Sequence, residues 1–233
     1  MIQQQLPGGD KIVIVCTEKS DGDFRVPPEG KIADQGLELR RQQITSHRWF
    51  WIRQQHRAEI ATVGTSETEA TGNIGGAWDA CITSEAFTAL SVTTADCLSI
   101  ALWGTDRGIG VIHAGWRGLR LGIIEKTITA MKHSFGEVAS AFIGPHICAG
   151  CYEFSPKDAQ DFVKRWGSDV YLPSGASGRL DLALIAKSSL REAGVNDVAN
   201  VDSCTACESE RWFSYRARQE EERMAMVAWR EQA

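Results

Sequence analysis

The segment from Leu98 to His113 limits the fold more than any other part of the chain. "LSIALW" and "IGVIH" are apolar stretches joined by "GTDRG", five residues with glycine at both ends. Apolar runs flanking so short a turn read as a buried β-hairpin. Pairing Trp103 with Ile109 across the turn sets His113 opposite Ser99. Cys97, two residues before Ser99, then shares a face with His113. Backbones of such diagonal neighbours lie about 7 to 8 Å apart. A thiol and an imidazole so placed can share a metal ion or pair as nucleophile and base, and the plainer alternative is a buried thiol beside a core histidine.

Around this hairpin the patterning alternates between strand and helix without a strict βαβ order. "KIVIVC" (11–16) reads as a strand, "LELRRQQI" (37–44) as a short helix, and residues 17–36 and 65–76 as polar loops. "RWFWIRQQHRAEIATV" (48–63) suits strands broken by a polar segment around Gln54 to Arg57. After Gly118, the spacing of Leu121, Ile124, Ile128 and Met131 predicts one amphipathic helix ending near His133. Ser155, with Pro156 at the first helical position, opens a helix to Trp166, and Asp181 opens another that stops at Gly194. Residues 138–144, 198–201 and 223–229 fit short strands. The class expected is α+β: mixed sheets flanked by helices, in one domain spanning residues 1–233.

The bulk numbers exclude several functions. A net charge of −5 argues against binding nucleic acid broadly through phosphates. No stretch approaches the roughly 18 consecutive apolar residues of a membrane span, and the N-terminus lacks a signal-peptide core, so a cytoplasmic location is expected. Seven cysteines, an odd count in a chain large enough to build a core, suggest reduced thiols rather than a disulfide framework. The pair "CTAC", Cys204 and Cys207, has metal-binding or redox spacing, but is read as lacking a second pair. Nothing points to a protein partner.

His56, in the polar break between strands, makes a third candidate ligand beside Cys97 and His113. A His/Cys/His set leaves the fourth position of a zinc ion open, the mark of a catalytic site. Asp96 adjoins Cys97 as a candidate catalytic carboxylate, with Asp79 and Glu153 as other acid–base candidates. Gly115 and Gly118 allow tight turning beside the site.

"QQHRAEI" (54–60), "TTADCLSIAL" (93–102) and "VIHAGWRGL" (111–119) resemble the bacterial YfiH-like family. That family is described as laccase-domain or multicopper polyphenol oxidase proteins, as zinc-dependent purine nucleoside phosphorylases and as peptidoglycan editing factors. The likeness continues through "IGPHICAGCYEF", "SCTACESERWFSYRA" and "ERMAMVAW", from about residue 48 onward. It implies zinc on His56, Cys97 and His113, with phosphate as co-substrate. The activity implied is phosphorolysis of adenosine, inosine, guanosine and methylthioadenosine, with adenosine deamination alongside.

The N-terminal motifs of the family are replaced here by "CTEKSDGDFRV" and "PPEGKIADQGLELRRQQI", Arg57 follows the first histidine where glycine is usual, and Ala217 replaces an arginine. Altered phosphate or ribose recognition is the expected consequence. Arg40, Arg41, Arg117 and Arg216 are the cationic candidates for phosphate, aided by free N–H groups of the helix expected after Gly118. Trp116, Tyr215 and Phe213 are candidates to stack on a base. Three alternatives stand beside this reading: a copper oxidase, disfavoured by only five scattered histidines; a metal-free cysteine hydrolase; and a non-catalytic module associated with peptidoglycan editing.

Overall fold

A computed structural model describes residues 2–5, 9–27, 35–64 and 72–233. Its frame is two six-stranded mixed sheets. The first runs, in spatial order, Ile2–Gln5, Lys11–Cys16, Met224–Glu231, Thr88–Thr94, Arg48–Arg53 and Gly72–Ala77. The second runs Asp197–Asn200, Val138–Ile143, Leu98–Gly104, Ile109–Ala114, Ala80–Thr83 and Ile60–Thr62. A small third sheet joins Glu153–Phe154, Ser177–Leu180 and Tyr171–Ser174.

The expected hairpin forms in the expected register, with Trp103 opposite Ile109 and Ser99 opposite His113. Both strands are buried throughout because both faces are covered. Leu98, Ile100, Leu102 and Ile112 pack towards the helices, whereas Ala101, Trp103, Ile109 and Val111 pack on Ile12, Phe50, Leu90 and Met226 of the first sheet. A sheet buried on both faces gives continuous rather than alternating hydrophobicity. The outer face of the first sheet is closed by Phe24 and by Leu37 of the helix Gln35–Ile44. The layers are therefore helix, sheet, sheet, helix.

Ser155 and Asp181 cap their helices as their sequence positions predict; the Asp181 carboxylate accepts from the Leu184 N–H at 2.8 Å. The single helix expected after Gly118 is instead two. A short one, Trp116–Arg120, starts at Gly115, and a longer one, Ile123–Phe135, starts after Gly122, whose φ of 77° interrupts the path. Ile124, Ile128 and Met131 are buried as their spacing predicts, but Leu121 lies at the break and is exposed. The loop expected over 65–76 is also corrected, because Gly72–Ala77 is a strand pairing in parallel with Arg48–Arg53. Residues 65–71, and residues 28–34 of the other expected loop, lie outside the described residues. No helix among the described residues is long and apolar enough to cross a membrane.

Candidate metal centre and active site

The chain passes from the first sheet to the second between Arg53 and Ile60, and again between Thr94 and Leu98. His56 lies on the first crossover, Cys97 on the second, and His113 near the end of a strand in the second sheet. One end of the sheet sandwich thereby gathers three residues far apart in sequence. Their ligand atoms lie within 4.8 Å of one another, with Cys97 Sγ 3.9 Å from His56 Nε2. The His56 and His113 rings stand nearly perpendicular, their centroids 4.8 Å apart.

Asp79 organises the trio. Its fully buried carboxylate accepts backbone N–H bonds from Gln55 at 3.1 Å, His56 at 3.0 Å and Arg57 at 2.7 Å, and also faces His113 Nδ1 at 2.8 Å. With Nδ1–H donated to this carboxylate, the Nε2 lone pair of His113 is left for a ligand bond, the arrangement that orients metal-binding histidines. The three N–H bonds hold His56 at a φ of 55°, uncommon for a residue other than glycine. Asp79, taken from sequence as an acid–base candidate, is placed as the brace of two candidate ligands. Gln54 ties the crossovers together by accepting from the Thr93 N–H at 2.9 Å and donating to the Thr93 carbonyl at 2.6 Å. Gly115 leaves no room for a side chain beside the trio: a Cβ would stand 2.9 Å from His56 Cδ2 and 3.0 Å from Cys97 Sγ.

Electrostatics favour a thiolate here. Burial raises the Cys97 pKa, but the charge and hydrogen bonding of His113 and His56 outweigh it and bring the group down to about 6. Burial lowers the His113 pKa, yet Cys97 and Asp79 together push it up to about 9. Burial likewise opposes ionisation of Asp79, but His113 and the backbone donors keep it below the usual carboxylate range.

The trio opens onto a cavity of about 700 Å³. Trp116, Arg117, Tyr215 and Arg216, the substrate-binding candidates of the sequence, line it. Asp96 also lines it, but its two carboxylate oxygens are engaged, accepting from Thr205 Oγ1 at 2.6 Å and the Arg216 N–H at 2.6 Å. Arg40 and Arg41 are a correction, since neither lines the cavity. Both belong to the helix on the outer face of the first sheet, where Arg40 bonds the Asp23 carbonyl and Arg41 lies buried, 3.6 Å above the Trp51 ring. Arg25, Arg53, Arg223 and Tyr152 line the cavity without having been singled out in the sequence. Phe213 is covered by Lys19, and the buried His146 bonds the Gly144 carbonyl through Nδ1.

The reading of Cys204 and Cys207 as a pair without a partner is also corrected. Cys148 and Cys151, in "CAGC", form a second pair with the same spacing, and the four sulfurs gather within 4.8 Å.

Residues 30–231 match the family model described as multi-copper polyphenol oxidoreductase laccase. The chain belongs to that family. A purine nucleoside phosphorylase of Xylella fastidiosa is 33% identical over 185 residues, covering 77% of this chain and 71% of the relative. The purine nucleoside phosphorylase YfiH of Escherichia coli is 30% identical over 184 residues, covering 77% and 72%. Among solved structures, the hypothetical protein YfiH of Bacillus licheniformis superposes with a TM-score of 0.80 at 21% identity, over 94% of this chain and 92% of the other. That likeness concerns the fold, and the α+β architecture of mixed sheets flanked by helices is shared.

Proposed function

We propose that this family member is a metal-dependent purine nucleoside phosphorylase. The observation that carries the reading is the His56, Cys97 and His113 trio on the wall of a cavity that also presents several arginines. The names of its relatives in Xylella fastidiosa and Escherichia coli support it. In the reaction an oxygen of inorganic phosphate bonds to ribose C1′ as the C1′–N9 bond breaks, and the electron pair leaves with the purine.

The donor set fits zinc, since two imidazoles and a thiolate are the ligands that ion prefers and three protein ligands leave one position for substrate or water. Bound there, zinc would supply Lewis-acid polarisation of an oxygen donor. The chain's own groups do the rest. Asp79 fixes the ring of His113 and the loop of His56. Arg117, exposed at the cavity, and Arg216 offer guanidiniums to the phosphate. Arg216 is steadied by the Glu153 carbonyl at 3.0 Å and by the Tyr152 ring 4.8 Å from its guanidinium. Burial and the neighbouring Cys97 push the Tyr152 pKa up to about 12, so its hydroxyl stays a neutral donor at the wall. Tyr215, half exposed, can stack on a base, whereas Trp116 is committed edge-on to Phe154 at 5.3 Å.

A two-arm assay tests the reading. Zinc-loaded protein incubated with adenosine or inosine and phosphate is expected to release free base and ribose 1-phosphate, and a Cys97→Ala variant is expected to release neither. Absence of product from the zinc-loaded protein overturns phosphorolysis. Inosine appearing from adenosine without phosphate would establish deamination as a second activity of the same centre.

A further inference from the structure

We propose that Cys148, Cys151, Cys204 and Cys207 form a second metal site, holding one zinc ion as a tetrathiolate apart from the cavity. The two pairs are 56 residues apart in sequence, in the connection after the strand Val138–Ile143 and in the segment after Asp197–Asn200. Backbone bonds bring these segments side by side. The His146 N–H reaches the Ser203 carbonyl at 3.3 Å and the Thr205 N–H reaches the His146 carbonyl at 3.1 Å, a parallel bridge centred on His146 and Cys204.

Three features distinguish this cluster from a chance gathering of thiols. Each pair has Cys-x-x-Cys spacing, as structural zinc sites do. All four sulfurs lie within 4.8 Å of one another, with Cys151 and Cys207 at 3.5 Å. Metal–sulfur bonds of about 2.3 Å in a tetrahedron require sulfurs about 3.8 Å apart, so a single ion matches the spacing. An iron–sulfur cluster would stand between its thiolates and spread them further. Finally, the Cys148 N–H donates to Cys204 Sγ at 3.2 Å, tying one pair to the other.

The site would act as a staple. Tyr152 follows directly on Cys151, and the Thr205 hydroxyl, next to Cys204, donates to Asp96 at 2.6 Å. Arg218 donates to the Thr205 and Ala206 carbonyls at 3.0 and 3.1 Å, anchoring the short helix Tyr215–Arg218. Clamping these two segments therefore fixes the wall that carries Tyr152, Tyr215 and Arg216. The proposal stands independently of the nucleoside reading.

The test is zinc content and X-ray absorption on reduced, zinc-exposed Cys97→Ala protein, in which the His/Cys/His centre has lost a ligand. One zinc per chain, surrounded by four sulfurs at about 2.3 Å, is expected. Adding Cys204→Ser and Cys207→Ser is expected to remove that ion and lower the thermal midpoint. No retained metal in the Cys97→Ala protein overturns the proposal. So do nitrogen or oxygen in the zinc shell, iron in place of zinc, or Cys151–Cys207 and Cys148–Cys204 found as disulfides in freshly isolated protein. Should the triple variant fail to fold, the absorption spectrum of the Cys97→Ala protein still decides.

Discussion

At residue scale the centre depends on one carboxylate that touches no substrate. Asp79→Asn keeps the size of the side chain but removes the charge that holds His113 Nδ1–H and the three N–H groups of the His56 loop. Zinc affinity, measured against a competing chelator, is expected to fall about 10- to 100-fold, and phosphorolysis with it. A pH experiment reads Cys97 directly. Its pKa in metal-free protein is held down to about 6, so its thiolate fraction rises through that pH, while burial raises Cys16 to about 12 and pushes Cys81 up as well. Alkylation of Cys97 by iodoacetamide, followed by peptide mapping, is expected to accelerate as pH increases through about 6 and to be suppressed by zinc. A midpoint near the ordinary thiol value would contradict the thiolate assignment. Cys97 and His113 were legible from the sequence because a hairpin register is a local property. The role of Asp79 was not, because nothing local connects it to residues 55–57.

At the scale of elements, legibility followed the distance over which each signal acts. The hairpin and the capped helices were readable because turn length, cap residue and periodicity lie within a few residues. Gly72–Ala77 looks like loop in sequence because "GNIGGA" has almost no side chains to show a pattern; what makes it a strand is pairing with Arg48–Arg53. The helix break at Gly122 likewise follows from its left-handed backbone, which apolar spacing does not report. The cap of Leu182–Glu192 offers a quantitative check, because the Asp181 carboxylate accepts from Leu184 N–H and does not line the cavity. Asp181→Ala is expected to cost about 1 kcal/mol, a fall in thermal midpoint of roughly 2 to 4 °C, with no change in zinc affinity. A loss of zinc affinity would mean that the helix supports the centre more directly than its contacts indicate.

For the whole molecule, sequence periodicity identifies apolar faces but does not say which face meets which. That is why the inner sheet-on-sheet core and the crossovers at its end emerge only in three dimensions. The same placement separates arginines that look equivalent in sequence. Arg40 and Arg41 are spent on the outer helix, whereas Arg117 stands at the cavity mouth, its guanidinium 4.5 Å from the Trp116 ring. A chain of net charge −5 attracts a phosphate anion only where such local cations overcome the overall field. Loss of a charge-assisted hydrogen bond costs about 1.5 to 3 kcal/mol. Arg117→Ala is therefore expected to lower kcat/KM for phosphate by roughly 10- to 100-fold. Arg40→Ala is expected to leave the KM for phosphate unchanged while lowering the thermal midpoint, because its bonds to the Asp23 carbonyl join the outer helix to the preceding segment. Steady-state kinetics with phosphate as the varied substrate separates the two. Equal kinetic losses in both variants would mean that the phosphate site extends to the outer helix, and that the arginines of the cavity are not its principal donors.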